Sequence, residues 1–176
     1  MNLYKNKFRV ESSRLKKWDY STPWWYYVTI CTKNMECWFG EVSNAKMVLN
    51  DVGKIIEKEW LRTPHLRKMV EQDYYVIMPN HFHGITIING PENFDKVVET
   101  HGDASLRKVK NNLSYIIRGF KGSCTKQIRL LGYSTFKWQP RFYDHIIRND
   151  RDLSRIRTYI QNNPLKWGMD EYYRRD

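Results

Sequence analysis

Two short apolar runs joined by a turn constrain this chain more than any other feature. Tyr74-Tyr75-Val76-Ile77-Met78 and Phe82 to Ile88 are rich in aromatic and β-branched residues, and Pro79-Asn80 between them is turn material. The pair reads as two adjacent antiparallel strands, the second opened by His81. Alternation along that strand puts His81, His83, Ile85 and Ile87 on one face and Phe82, Gly84, Thr86 and Ile88 on the other. The two imidazoles then point the same way, with Cβ atoms roughly 7 Å apart, close enough to converge on one ion. Gly84 beside them is expected to leave room for a substrate backbone. The spacing alone is a weak signal, since most His-x-His pairs on strands are surface residues or satisfied core pairs. A third ligand and a nucleophile must come from elsewhere in the chain.

Around this pair the rest of the sequence alternates strand and helix patterns. Met1 to Pro23 is a basic arm without sustained period, read equally as a solvated tail or as a nucleic-acid contact. Trp24 to Cys31 is apolar on both faces, as a central strand is. Cys37-Trp38-Phe39 and Lys46 to Leu49 read as an accessory hairpin. Asn50 caps a helix whose stripe is Val52, Ile55, Ile56 and Trp60 and which is expected to end before Pro64. Asn89 to Ala104 reads as a mobile loop.

From Ser105, Leu106, Val109, Leu113, Ile116, Ile117 and Phe120 recur at helical spacing opposite a basic face, with a bend or break expected at Gly119 and Gly122. A second helical piece, Lys126 to Leu131, follows. Phe142 to Arg148 is the last strand, a helix from Arg151 to about Asn162 stops at Pro164, and 165–176 is a tail without period. This order predicts one α+β domain over 1–176, a ferredoxin-like split βαβ with an antiparallel sheet backed by helices, plus a C-terminal helix.

Charge says what kind of partner to expect. Thirty lysines and arginines against 19 acidic residues give a formal charge of +11, which favours a polyanion, nucleic acid being the commonest. The 15% aromatic content, beside a mean hydropathy of −0.72, suits stacking on unpaired bases, although most of these rings are expected in the core. Cys31, Cys37 and Cys124 form neither a disulfide framework nor a zinc knuckle, which fits a reducing cytoplasm. Neither a secretory h-region nor a membrane-length apolar run is visible, so a cytoplasmic protein without membrane partner is expected.

The last helix carries the second half of the constellation. Leu153, Ile156 and Ile160 form its apolar side, and four-residue spacing stacks Arg155, Tyr159 and Asn163 along another. A phenol is a poor nucleophile unless its deprotonation is assisted and the phosphate it attacks is polarised, and a divalent ion with a neighbouring arginine can do the latter. Packing at a helix edge is the competing reading of Tyr159.

Three motifs in order, Tyr75 to Ile85, Trp138-Gln139 with Phe142 to Arg148, and Tyr159-Ile160 with Asn163-Pro164, resemble the single-tyrosine transposases of the HUH endonuclease superfamily. The branch they resemble is that associated with repetitive extragenic palindromes. The likeness runs from about Trp24 to Trp167. It implies that His81 and His83 are metal ligands, Tyr159 the nucleophile and Asn163 the third ligand. Many relatives have glutamine in that last role, so asparagine has a shorter reach, and His145 is a rival.

Pro164 is expected to bias Asn163 away from helical geometry. The implied cofactor is Mg²⁺ or Mn²⁺, the donor set favouring Mn²⁺; zinc is less apt without a third strong ligand. The implied chemistry is cleavage and rejoining of single-stranded DNA beside a hairpin through a 5′-phosphotyrosine. Candidate phosphate contacts are Arg107, Lys108, Lys110, Arg118, Lys121, Arg148, Arg155 and Arg157. A domesticated hairpin-binding protein and a metal-dependent nuclease or replication initiator are the alternatives. Either a monomer or a homodimer suits the family.

Overall fold

A computed structural model of the chain describes residues 3–4, 7–8, 15, 18–90 and 112–173. In chain order its elements are β1 (Leu3–Tyr4), β2 (Lys7–Phe8), β3 (Trp24–Cys31), β4 (Gly40–Ser43), β5 (Lys46–Leu49), α1 (Asp51–Leu66), β6 (Val70–Ile77), β7 (His81–Ile88), α2 (Leu113–Leu130), β8 (Tyr143–Ile146) and α3 (Asp150–Asn162). β6, β7, β3 and β8 form, in that order, a four-stranded sheet in which every neighbouring pair is antiparallel. With α1 between β3 and β6 and α2 between β7 and β8, this is the expected split βαβ pattern. β1 pairs with β2, and β4 with β5, outside that sheet. No helix among the described residues is long and apolar enough to cross a membrane.

Alternation along the central strands divides the apolar residues between two faces. Tyr26, Val28 and Ile30 of β3 and Phe82 and Ile88 of β7 join Ile56 and Trp60 of α1 and Ile116, Ile117, Phe120 and Cys124 of α2 in one large core. Tyr27 of β3 and Ile85 of β7 meet Ile156 and Ile160 of α3 in a smaller one on the opposite face. The histidines belong to this second face: pairing sets His81 against Cys31 and His83 against Thr29. Gly84 faces the first, so its expected role is overturned. A Cβ there would meet the Phe82 ring at 2.7 Å and Trp60 at 2.8 Å. The missing side chain admits two core aromatics, whose rings lie 4.6 Å apart, rather than a substrate.

Other expectations fail where tertiary contacts outweigh local preference. α1 runs through Pro64 to Leu66. Proline removes the N–H that would bond the Trp60 carbonyl, and the Gln72 side chain donates to that carbonyl instead at 2.6 Å. α2 is unbroken across Gly119 and Gly122, because a continuous buried stripe from Leu113 to Ile128 outweighs about 1 kcal/mol of lost propensity per glycine. The first strand of the accessory hairpin is Gly40–Ser43 rather than 37–39.

The arm is not wholly detached, since Tyr20 is buried in the large core and the Trp18 indole donates to the Tyr26 hydroxyl. In the tail, Pro164–Met169 forms a 3₁₀ helix. The expected loop at 91–104 and the start of the long helix at 105–111 lie outside the described residues.

Candidate active site

His81 and His83 are buried side by side on β7, their ring centroids 4.5 Å apart. The Asn80 amide nitrogen donates to the Met35 carbonyl at 3.0 Å and the Tyr172 carbonyl at 2.8 Å. Those two bonds identify the remaining amide atom, 2.8 Å from His81 Nδ1, as the oxygen. An amide oxygen only accepts, so His81 Nδ1 carries the proton and Nε2 presents a lone pair. His83 Nδ1 lies 2.7 Å from the Tyr27 hydroxyl and 2.9 Å from Thr29 Oγ1, and Thr29 donates to Tyr27. Thr29 Oγ1 can therefore accept from Nδ1–H, the tautomer that frees His83 Nε2 as well. Partners of this kind on the far nitrogen are how proteins orient metal-binding imidazoles.

The acceptors left over point to a cation. His81 Nε2 and Asn163 Oδ1 are buried and have no hydrogen-bond partner. A protonated His81 would find its partner in Asn163, so the two lone pairs face one another. Burial holds both histidines neutral, His81 down to about 3 and His83 well below 6.5; a proton is thus a poor way to satisfy these atoms. Each buried acceptor without a donor costs about 1–3 kcal/mol, and a metal ion can satisfy both lone pairs at once.

A third candidate ligand comes from a residue that sequence reasoning missed. One ligand atom from each of His81, His83 and Asp170 lies within 4.8 Å of the others. Asp170 also accepts from the Asn163 amide nitrogen at 3.1 Å, which turns the Asn163 oxygen away from the carboxylate. The chain doubles back to place it. Asn163 stays in right-handed helical conformation as the C-cap of α3, contrary to the expected effect of Pro164, which begins the 3₁₀ helix directly after it. Asp170 caps that helix and accepts from the Tyr172 amide, and the Tyr172 ring lies 4.6 Å from His81. His145, the rival third ligand, is bound to Asp152 at 2.7 Å and stands outside this cluster. With Asp170 present, the objection to zinc on ligand count falls away.

Tyr159 stands at the edge of the cluster. Its hydroxyl is 3.4 Å from His83 Nε2 and its side chain is 43% exposed. Burial first, then the Asp170 and Glu171 carboxylates, push the phenol up to about 12. Cavities of about 630 and 590 Å³ open on either side of it.

Of the expected DNA contacts, Arg118, Arg148 and Arg155 are exposed. Arg155 pairs with Asp152 at 2.8 Å beside Tyr159. Arg148 lines a separate cavity with Trp24 and Trp25. Lys121 is half-buried and donates to the Gln139 and Arg141 carbonyls, with burial lowering its ammonium to about 8. Arg157 pairs with Asp73 at 2.7 Å and lies over the Tyr74 ring. Arg107, Lys108 and Lys110 lie outside the described residues.

No protein-family model matches the chain. An uncharacterised protein of Haemophilus influenzae is 35% identical over 173 residues, 92% of each chain. The REP-associated tyrosine transposase of Escherichia coli is 29% identical over 99 residues, 56% of this chain and 46% of that protein, so this match spans about half the relative's length. The solved structure of a REP-associated tyrosine transposase bound to a REP hairpin superposes with a TM-score of 0.57 at 20% identity, over 91% of this chain and 77% of that one. That structure shares the mixed α+β fold, its antiparallel sheet backed by helices. The chain is therefore related in sequence to REP-associated tyrosine transposases over about half its length, and it shares the fold of one of them.

Proposed function

We propose that the protein cleaves and rejoins single-stranded DNA next to a hairpin, with Tyr159 as the nucleophile. The observation that carries this reading is the Tyr159 hydroxyl 3.4 Å from His83 Nε2, at a cluster where His81 Nε2 and Asn163 Oδ1 are buried acceptors without donors. Hairpin DNA as partner is supported by the structural relative, which is bound to a REP hairpin. His81, His83, Asn163 and Asp170 would hold a divalent cation, Mg²⁺ or Mn²⁺, which when bound would polarise the scissile phosphate and offset the carboxylates that keep the phenol protonated.

The Tyr159 oxygen bonds to phosphorus as the bond from phosphorus to the 3′ oxygen breaks. The phenol proton passes to water and the 3′ oxygen takes one up, leaving a 5′-phosphotyrosine and a free 3′ hydroxyl. Attack by a 3′ hydroxyl on that phosphotyrosine reverses the step, rejoins strands and restores the phenol. Asn80 and Thr29 hold the two imidazoles in the ligating tautomer throughout. Exposed Arg118, Arg148 and Arg155 are the candidate phosphate contacts.

The test is a denaturing gel of the protein incubated with Mn²⁺ and oligonucleotides spanning palindromes that flank its own gene. A DNA–protein adduct that survives denaturation and disappears in Tyr159→Phe supports the reading. Cleavage that persists in Tyr159→Phe replaces the tyrosine with a metal-activated water.

A further inference from the structure

The sheet face that carries the histidines continues beyond them to the edge strand. Pairing aligns His83, Thr29 and Tyr143 in one row across β7, β3 and β8, and Ile85, Tyr27 and His145 in the row beside it. Two strand spacings put the Tyr143 backbone roughly 10 Å from that of His83. The space between them is the cavity of about 630 Å³ that also reaches His145, Arg155 and Tyr159.

Tyr143 differs from the other rings on this face. Tyr27 is buried and tied to His83, whereas Tyr143 is 50% exposed. It packs against Tyr27 edge to face at 6.4 Å and 71°. The ring is thus seated on one side and open on the other, with only two side-chain torsions to order when something flat lies on it. Arg155 stands at the mouth of the same cavity. Asp152 pairs with its guanidinium at 2.8 Å and with His145 at 2.7 Å, and burial of Asp152 is outweighed by the hydrogen bonds from Arg155 and His145, which keep it a carboxylate below its ordinary range. A pinned cation one helical turn before Tyr159 suits a phosphate next to the one that Tyr159 faces. The second cavity beside Tyr159 shares Arg155 and is otherwise lined by Thr158, Asn162 and Lys166, among others, with no second aromatic ring, so only the cavity at Tyr143 offers a further ring to stack on.

We infer that the cavity between Tyr143 and Tyr159 is a nucleobase subsite: Tyr143 stacks on the base of the nucleotide adjoining the attacked phosphate, and Arg155 holds the next phosphate. The inference rests on the reading of Tyr159 as a nucleophile towards single-stranded DNA. A tyrosine face accepts any base, so the subsite orients the strand for attack more than it reads sequence.

The experiment uses the full chain and the oligonucleotide whose cleaved phosphate the adduct assay has mapped, with 2-aminopurine placed one nucleotide to the 5′ or the 3′ side of it. On binding, one of the two probes is expected to lose fluorescence with the wild type and with Tyr143→Phe, and to keep it with Tyr143→Ala. Affinity should fall about tenfold in Tyr143→Ala, and removing the base at the quenched position should cost the wild type the same factor and the alanine variant nothing more. Quenching and affinity unchanged in Tyr143→Ala, with adduct formation intact, would overturn the subsite and leave Tyr159 as nucleophile. A wild-type protein that forms no adduct with any of the oligonucleotides overturns the nucleophile reading and the subsite with it.

Discussion

The two faces of the sheet are built from alternate residues of the same strands and end in opposite chemistry. Towards α1 and α2, Trp60, Phe82, Phe120 and their neighbours fill the space so closely that a side chain on Gly84 would have to displace the Phe82 and Trp60 rings. Towards α3, the apolar cluster is small, and beyond it come Thr29, His81, His83 and Asn163, buried and polar, with two acceptors lacking partners. The first face stores stability in packing. The second gives some up, leaving buried lone pairs unpaired beside Tyr159 and Asp170. Strands serve both ends at once because successive side chains point opposite ways.

Breaking one face should leave the other's property standing. Tyr159→Phe should abolish the covalent DNA adduct, a loss of more than about 1,000-fold, while moving stability by under about 1 kcal/mol in urea denaturation, because the side chain is half-exposed. Trp60→Ala is the converse. It should cost about 3–5 kcal/mol, with adduct formation per folded molecule retained below the melting point.

Acid should unfold the protein through the histidine face. In the metal-free chain burial keeps His81 and His83 neutral down to about 3 and well below 6.5 respectively, whereas the unfolded chain protonates both near pH 6.5. Below that pH the unfolded state binds more protons. Stability should therefore fall as pH drops from about 6.5, by about 1.4 kcal/mol per unit for each histidine, levelling for His81 only near pH 3. Saturating Mn²⁺ should raise stability across this range without moving the onset, which the histidines of the unfolded chain set, and thermal melts across pH 4–8 with and without the ion measure it.

Smaller effects sharpen the contrast further. Gly84→Ala should cost about 1–3 kcal/mol by overpacking against Phe82 and Trp60, with metal affinity, read by titration calorimetry, held. Arg118→Ala should leave stability within about 0.5 kcal/mol and reduce the salt slope of single-strand binding by about 0.7. The matching change at Lys121 should instead loosen the loop that its ammonium ties to Gln139 and Arg141.

The strands, the order of elements, the shared face of His81 and His83 and the helix bearing Tyr159 were legible because each rests on local pattern: alternation, capping and helical spacing; the roles that join the three residues came from the resemblance. Where the sequence misled, a distant group had answered a local deficit. Gln72 serves the carbonyl that Pro64 leaves open, the large core holds α2 straight through its glycines, and Asp170 fixes the amide of Asn163. Asp170 itself carried no signal, since a lone aspartate in an aperiodic tail looks like any solvated charge; its position seven residues after Asn163 becomes meaningful only once a 3₁₀ turn brings it back.

The sequence alone therefore determined the split βαβ order, the shared face of the two imidazoles and the helix bearing Tyr159, because backbone periodicity decides which side chains point together. Only the tertiary structure decided which acceptors are left without donors, that Asp170 completes the cluster, and which cations are already engaged by the protein's own oxygens. Those outcomes depend on distances between residues far apart in the chain, such as Asn80 and Tyr172, and no local pattern encodes them.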